Sequence, residues 1–290
     1  MARTVTSSAG VRLVVHDLGG AGSARTLLIA HATGFHGRAY APLAARLPGF
    51  QVWAPDLRGH GDSMRPDHGG FNWEGLADDV GAVAAAIAGG APLYGFGHSM
   101  GAAVMLLAEA RRPGTFRAIY AFEPIVMPPE IPRETERRSV WVEGTRKRRR
   151  DFASLDEAFE NFKGKRPFAD FTAESLHAYL DHGFNRLESG ALRIKMDPDD
   201  EARMYQMSPE HPTWDHLHEV RCPVVIASGR PEPNTPAAWT ERIASRLPDA
   251  RVETFRDLGH MGPFEDPDRI AAAVERFYAA VDSTGSRSAG

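Results

Sequence analysis

The chain has 290 residues, of which 42% are hydrophobic, and its formal net charge is −4. This length suits one large α/β domain, alone or with an inserted lid, and the mild charge argues against nucleic acid as a partner. The apolar runs are too short to span a bilayer, and the first residues lack the apolar region of a signal peptide, so we expect no membrane partner. The single cysteine, Cys222, fits a reducing compartment, which predicts a cytoplasmic protein.

Short apolar runs alternate with helical segments along most of the chain. Strands are predicted at 11–15, 26–30, 51–54, 92–96, 116–122, 223–227 and 251–255, and helices at 39–47, 71–88, 102–110, 236–247 and 268–281. Such alternation is typical of an α/β fold in which a mostly parallel sheet carries helices on both faces.

The alternation stops in the middle of the chain. Prolines open a stretch of charged helical segments that are rich in Phe, Trp and Tyr. This change in composition predicts a helical cap at 125–214, inserted between two parts of a core domain at 1–124 and 215–282. The last residues, 283–290, have the composition of a disordered tail.

A pentapeptide between one predicted strand and the next helix indicates nucleophilic catalysis. Its sequence is Gly97-His98-Ser99-Met100-Gly101, and Gly-x-Ser-x-Gly between strand and helix is the pattern of a nucleophile elbow. The turn forces the serine into a strained backbone conformation at the helix N-terminus, where N–H groups favour developing negative charge. Ser99 is therefore the candidate nucleophile.

A serine hydroxyl needs a general base, which is most often a histidine. The candidate is His260, in the loop between the last predicted strand and the last helix. Three other histidines, His211, His216 and His218, form a cluster without a matching carboxylate or cysteine pattern. We therefore expect ordinary surface there, with no metal and no other cofactor.

Four motifs in this order resemble the α/β-hydrolase superfamily. They are His31 to Phe35, Asp56 to Ser63, the elbow, and Gly259 to Met261. The resemblance covers nearly the whole chain outside the cap and the tail, and it implies the α/β-hydrolase fold. It also implies an oxyanion hole made by the backbone N–H groups of Thr33 and Met100, although Ala32 replaces the glycine that is usual in the family.

The carboxylate that orients the histidine has two candidates. The family's usual position follows the strand at 223–227, and Glu232 has that spacing, in a loop between two prolines. Some branches carry the acid at the end of the strand after the nucleophile helix, where this chain has Glu123. A charged residue that closes an apolar strand is costly unless it is paired. We therefore favour Glu123 and keep Glu232 as the alternative.

A serine nucleophile disfavours the dehalogenase and epoxide-hydrolase branches, which use aspartate. The resemblance thus implies a serine hydrolase that cleaves a small to medium, hydrophobic carboxylic ester or lactone through an acyl-enzyme. Two alternatives stay open: a carbon–carbon bond hydrolase acting on a diketone, and a non-catalytic ligand receptor on the same fold. We expect a monomer or a homodimer.

The predicted cap carries a basic run, Arg146 to Arg150, with acidic residues around it. A solvated helical face with ion pairs explains such a run, and recognition of an acidic substrate is the alternative. A hydrophobic substrate also needs apolar pocket walls, for which Phe35, Met127 and Trp141 are the candidates.

Overall fold

The computed structural model describes residues 2–67, 70–90, 92–132, 136–233 and 235–285. Its strands are β1 (Ala2–Thr6), β2 (Arg12–Gly19), β3 (Arg25–Ala30), β4 (Phe50–Pro55), β5 (Leu93–His98), β6 (Phe116–Phe122), β7 (Asp151–Phe152), β8 (Phe184–Arg186), β9 (Leu192–Ile194), β10 (Val224–Ser228) and β11 (Ala250–Thr254). Eight of them form one sheet in the order β1-β2-β4-β3-β5-β6-β10-β11. All neighbours from β4 to β11 are parallel, and β1 and β2 pair antiparallel at one edge.

The helices are α1 (Ala41–Ala45), α2 (Trp73–Ile87), α3 (Met100–Arg111), α4 (Glu136–Arg146), α5 (Leu155–Phe162), α6 (Ala173–His182), α7 (Pro198–Met207), α8 (Thr213–His216), α9 (Thr240–Ala244), α10 (Gly262–Glu265) and α11 (Pro267–Gly285). Within the described residues, no helix combines the length and the apolar character that crossing a membrane requires.

Alternate residues of the central strands enter two separate hydrophobic cores, one on each face of the sheet. In β6, Ile119 and Ala121 pack with α2 and α3, whereas Ala118 and Tyr120 pack with α1 and α11. This two-sided burial explains why the strand sequences are continuously apolar. The predicted α/β-hydrolase fold, a mostly parallel sheet covered on both faces, is confirmed.

Three helix predictions need correction. The predicted helix at 236–247 is a 3₁₀ turn, Pro236–Trp239, followed by the short α9. The predicted helix at 39–47 is a 3₁₀ turn, Gly37–Tyr40, followed by the short α1, and Pro42, which has no N–H to donate, lies at the start of that helix. At the other end of the chain, α11 continues to Gly285, so residues 283–285 are helical rather than part of a disordered tail. The rest of the predicted tail, 286–290, lies outside the described residues.

The segment between β6 and β10, residues 123–223, adds no described strand to the central sheet. We call it the cap segment. It contains α4 to α8 and also a three-stranded antiparallel sheet in the order β7-β9-β8, which the prediction of a helical cap did not include. Helix α6 packs on the 3₁₀ turn at Gly37–Tyr40. Next to this contact, the ring of Phe35 packs against aromatic rings of the cap segment, namely Phe168, Phe171 and Tyr179, and against Phe264 of α10.

Candidate active site

Ser99 lies at the tight turn between β5 and α3, with backbone angles φ 56° and ψ −115°. A β-carbon on Gly101 would lie 2.1 Å from the carbonyl oxygen of Ala30, so only glycine lets α3 approach β3 this closely. Serine at a helix N-cap ordinarily bonds a backbone N–H of the first turn. The Ser99 side chain makes no such bond, so its hydroxyl is available for another partner.

Glu123 follows β6 directly and also has a left-handed backbone, with φ 43°. Hydrogen bonds between neighbouring strand ends hold it beside the elbow. The N–H of Ser99 donates to the carbonyl of Phe122 at 2.9 Å, and the N–H of Glu123 donates to the carbonyl of Ala227 at 2.8 Å. The ends of β5, β6 and β10 therefore fix the position of both side chains.

Ser99, His260 and Glu123 form one hydrogen-bonded chain. His260 Nε2 lies 3.1 Å from Ser99 Oγ, and His260 Nδ1 lies 2.6 Å from Glu123 Oε2. The other carboxylate oxygen of Glu123 accepts the N–H of Gly229 at 2.8 Å. The Glu123 side chain is 2% exposed and that of His260 27%, so the carboxylate is buried and the imidazole reaches the cavity.

The partners fix the direction of each hydrogen bond. A carboxylate accepts only, so Nδ1 of His260 carries the proton that faces Glu123. In the neutral imidazole, Nε2 then has a free lone pair and accepts the hydroxyl proton of Ser99. This is the arrangement in which a histidine can take the proton of an attacking serine while a carboxylate stabilises the resulting imidazolium.

The structure leaves Glu232 outside this chain. Its side chain is 51% exposed, and its ion-pair partner is Arg230, at 3.3 Å. Glu123 pairs with His260 and with no arginine of the cap segment, as far as the described residues extend. The carboxylate that reaches the histidine is thus the one at the end of β6.

A second buried hydrogen-bond path, which the sequence analysis missed, connects the loop after β3 to the backbone of His260. Ala32 N–H donates to Tyr40 Oη at 3.1 Å, Tyr40 lies 2.7 Å from His98 Nδ1, and His98 Nε2 lies 2.8 Å from the carbonyl oxygen of His260. Burial and the neighbouring His260 hold the pKa of His98 well below its ordinary value. The neutral ring therefore donates through Nε2 and accepts the tyrosine O–H at Nδ1. The one feature of the sequence that could have drawn attention to His98 was its position inside the elbow motif, next to Ser99.

The two residues expected at the oxyanion hole both lie beside Ser99. Met100 is the first residue of α3, where backbone N–H groups have no intrahelical acceptor. Thr33 is buried and lines the same cavity as Ser99 and His260. Their N–H groups are therefore positioned as candidates for donation to a substrate oxygen above Ser99.

A cavity of about 220 Å³ opens at Ser99 and His260. Met127 and Trp141, two of the predicted pocket residues, line it together with Ile125, Trp239 and others. Phe35 does not line this cavity; it belongs to the aromatic contact between core and cap segment and to a neighbouring cavity. The cavity at Ser99 contains no Asp, Glu, Lys or Arg among its described lining residues, so its walls suit an apolar group.

One group of side chains in the described part of the chain has the spacing of metal ligands. His16, Asp56 and Asp62 bring one donor atom each within 4.8 Å of one another. Asp56 already accepts hydrogen bonds from His16 and from the N–H groups of Gly37 and Asp62. These bonds connect β2 with the loops after β3 and β4, and they explain the cluster as a structural network.

The fold and the Ser-His-Glu arrangement define a hydrolase class, and comparison with known proteins agrees. The family model described as "Alpha/beta hydrolase family" matches residues 27–273. The chain belongs to this family.

Two relatives are distant in sequence but match this chain over nearly its full length. The chain is 24% identical over 284 residues to the AB hydrolase superfamily protein YisY of Bacillus subtilis. This alignment covers 96% of this chain and 99% of that protein. The chain is 27% identical over 278 residues to a pimeloyl-(acyl-carrier protein) methyl ester esterase of Xanthomonas campestris, covering 90% and 97%. Among solved structures, the peroxisomal alpha-beta-hydrolase Lpx1 of Saccharomyces cerevisiae superposes with a TM-score of 0.78 at 17% identity, covering 98% and 89%.

Proposed function

We propose that this protein is a serine hydrolase that cleaves a small to medium carboxylic ester or lactone through an acyl-enzyme intermediate. The observation that carries the proposal is the unbroken hydrogen-bonded chain from Ser99 Oγ through His260 to Glu123, with distances of 3.1 and 2.6 Å. The name of the Xanthomonas campestris relative, a methyl ester esterase, supports an ester as the bond that is cleaved.

In the proposed mechanism, Ser99 Oγ attacks the ester carbonyl while His260 Nε2 takes its proton. The carbonyl oxygen becomes an oxyanion and accepts the N–H groups of Thr33 and Met100. The carbon–oxygen bond to the alcohol then breaks, and His260 returns the proton to the leaving oxygen. Water, deprotonated by the same histidine, next attacks the acyl-enzyme. The bond between the acyl carbon and Ser99 Oγ breaks, His260 returns the proton to Ser99 Oγ, and the carboxylic acid is released. Glu123 keeps the imidazole oriented and stabilises its charged form in both halves of the reaction.

The cavity walls support an apolar acyl or alcohol group as the part of the substrate that lies next to Ser99. Met127, Ile125 and Trp239 face the space beside the nucleophile, and such walls favour hydrophobic groups because binding removes their surface from water. We also retain two proposals from the sequence: a cytoplasmic location, and a monomer or homodimer.

Labelling with a fluorophosphonate, followed by peptide mapping, tests the proposal. We expect the label on Ser99, and we expect Ser99→Ala to lower kcat for p-nitrophenyl esters on the order of 10⁴-fold while the protein stays folded. Ser245→Ala is the control, because this exposed hydroxyl only bonds the carbonyl of Arg242. Label on another serine, or full activity without Ser99, contradicts the proposal, and turnover of a vinylogous diketone in place of esters would indicate carbon–carbon hydrolysis.

A further inference from the structure

A second, larger cavity adjoins the one at Ser99. Its volume is about 490 Å³, and it lies between the loop after β3 and the cap segment. The two cavities have four wall residues in common, namely Thr33, Trp141, Tyr205 and Met261. The two cavities are therefore neighbours, and we call the larger one the cap cavity.

The two cavities differ sharply in charge. Five cationic side chains line the cap cavity, and the one carboxylate among its described lining residues is Glu201. Three of the cations follow α4, namely Lys147, Arg148 and Arg149, and two follow α5, namely Lys165 and Arg166. The first three belong to the basic run that the sequence analysis singled out. The space next to Ser99 thus has no Asp, Glu, Lys or Arg among its described lining residues, and the space beyond it is lined by cations.

Three of these cations already have carboxylate partners. Arg148 pairs with Glu201 and also donates to the hydroxyl of Tyr179. Arg149 pairs with Glu157 at 2.7 Å, and Lys147 pairs with Glu143 at 3.1 Å. These pairs confirm the ion pairs expected for the run and leave little of its charge for a ligand. The expected helical face is wrong, because α4 ends at Arg146 and residues 147–150 are not helical.

The remaining two cations lack such partners. Lys165 donates to the neutral side-chain oxygen of Asn161, and within the described residues no carboxylate lies within 4.0 Å of Lys165 or Arg166. Both are exposed at the rim of the cap cavity. An anion beside either cation would gain a charge-assisted hydrogen bond without competing with an internal carboxylate.

We infer that the cap cavity binds an anionic group of the substrate, a carboxylate in the simplest case, while the apolar part of the same molecule lies between that group and Ser99. This inference rests on the proposed function and narrows it to esters whose acyl chain ends in an anionic oxygen group, such as monoesters of dicarboxylic acids. Lys165 and Arg166 hold the anion.

Matched ester pairs test the inference. Each pair is a p-nitrophenyl monoester of a dicarboxylic acid with four to eight carbons and its neutral methyl-capped counterpart. We expect the anionic member to have the higher kcat/KM at one chain length or more. The double variant K165Q/R166Q should lower that anionic-to-neutral ratio about tenfold, as expected for two partly exposed charge pairs. Increasing salt should lower the ratio in the parent enzyme.

Lys163→Gln is the matched control. It removes a cation from the same loop, but Lys163 pairs with Glu160 and does not line the cap cavity, so the ratio should stay as in the parent. Equal kcat/KM for both members of every pair, or an unchanged ratio in K165Q/R166Q, overturns the inference and leaves the proposed hydrolase standing.

Calorimetry with Ser99→Ala separates the two proposals, because it measures binding without turnover. We expect the free dicarboxylic monoester to bind S99A more tightly than its methyl-capped counterpart, and this difference to disappear in S99A/K165Q/R166Q. If no ester is turned over by the parent but this difference is found, the anion site stands and the hydrolase proposal fails. If the two probes bind equally, the anion site is refuted.

Discussion

The carboxylate of Glu123 lies 2.6 Å from Nδ1 of His260, although 137 positions separate the two residues along the chain. The parallel sheet produces this contact, because β6 pairs with β5 on one side and with β10 on the other. Carboxyl ends of parallel strands meet at one edge, so the histidine in the loop after β11 reaches both the serine after β5 and the carboxylate after β6. The contact also makes the role of each glutamate testable.

Replacing Glu123 by glutamine should be costly, whereas the same change at Glu232 should be nearly silent. The glutamine oxygen can still accept the N–H of Gly229, but its NH₂ group then faces Nδ1 of His260 and favours the tautomer that cannot accept the serine proton. We expect kcat for an ester to fall about 10²–10⁴-fold in Glu123→Gln. Steady-state kinetics of both variants measure this, and a large loss in Glu232→Gln alone would reverse the assignment.

The left-handed backbone at Ser99 predicts a difference in stability between two inactive variants. With φ 56° and ψ −115°, position 99 is strained for any residue with a β-carbon. Ser99→Gly relieves this strain, and Ser99→Ala does not. We expect the glycine variant to have the higher free energy of unfolding, by on the order of 1 kcal/mol. Urea unfolding of the two proteins measures the difference, and equal or reversed stabilities would show that the surrounding contacts tolerate the conformation without strain.

Tyr40 should act as a positioning residue, through the loop that carries Thr33. Tyr40→Phe removes the hydroxyl that joins Ala32 N–H to His98. The loop after β3 then loses a hydrogen bond that holds it in position. We expect kcat to fall between about 10- and 100-fold with little change in KM, because the oxyanion donors move while the apolar cavity stays.

Tyr120→Phe is the matched control for this variant. It also deletes a buried tyrosine hydroxyl, but that group donates to Glu253 on the edge strand. We expect both variants to be less stable than the parent and only Tyr40→Phe to lose kcat. Equal effects of the two changes on kcat would mean that the hydroxyl of Tyr40 matters for folding alone.

Buried histidines predict a loss of stability in mild acid. Burial lowers the pKa of His31 and His211 to about 3 and of His36 and His60 to about 4. As pH falls from about 6.5, the unfolded chain takes up these protons first. The native state is therefore favoured above about pH 6.5 and loses stability as the pH falls towards 4.

The sequence analysis expected His211 at the surface, and this is wrong, because the structure buries it. His211 offers a clean test of the pH prediction, because burial alone lowers its pKa. An asparagine at this position can still accept the N–H of Thr213, which His211 Nδ1 accepts at 3.1 Å. We expect His211→Asn to reduce the slope of unfolding free energy against pH between 6 and 4 by up to about 1.4 kcal/mol per pH unit. The exposed His218→Asn is the control, and an unchanged slope in His211→Asn would contradict the prediction.

The sequence predicted what depends on local pattern and missed what depends on tertiary contacts. The strand–turn–helix around Ser99 and the loop position of His260 follow from periodicity and motif spacing. The choice between Glu123 and Glu232 required a burial argument, because both follow strands that end at the same sheet edge. The left-handed backbone at Glu123, which belongs to this site, gave no signal, since that conformation is usual for glycine or asparagine.

Other features could not be predicted, because the elements are too short or the residues that make contact are too far apart in the sequence. The strands β7 to β9 have two or three residues each, which is too few for an alternating pattern. The path from Tyr40 to His98 joins residues 58 positions apart, and no sequence pattern connects the two. The charge of the cap cavity depends on which of its cations form ion pairs, and this depends on the fold. Within the described residues, Lys165 and Arg166 have no carboxylate partner, and nothing in the sequence indicated this.

The hydrogen bond from Gly229 to Glu123 has a practical consequence for engineering. The loop after β10 contributes to the Ser-His-Glu chain through one backbone N–H, and a β-carbon at Gly229 would lie 2.5 Å from the carbonyl oxygen of Gly259. The four residues that follow, Arg230 to Pro233, are all exposed. A peptide tag or a reporter domain inserted between Pro231 and Glu232 would lengthen this solvent-facing loop. Its linker has to keep the Glu232 carbonyl in place, because that carbonyl accepts the hydroxyl of Thr235, a residue that lines the cavity at Ser99. The loop after β10, where the family usually has the acid, is in this chain a suitable attachment point close to the nucleophile.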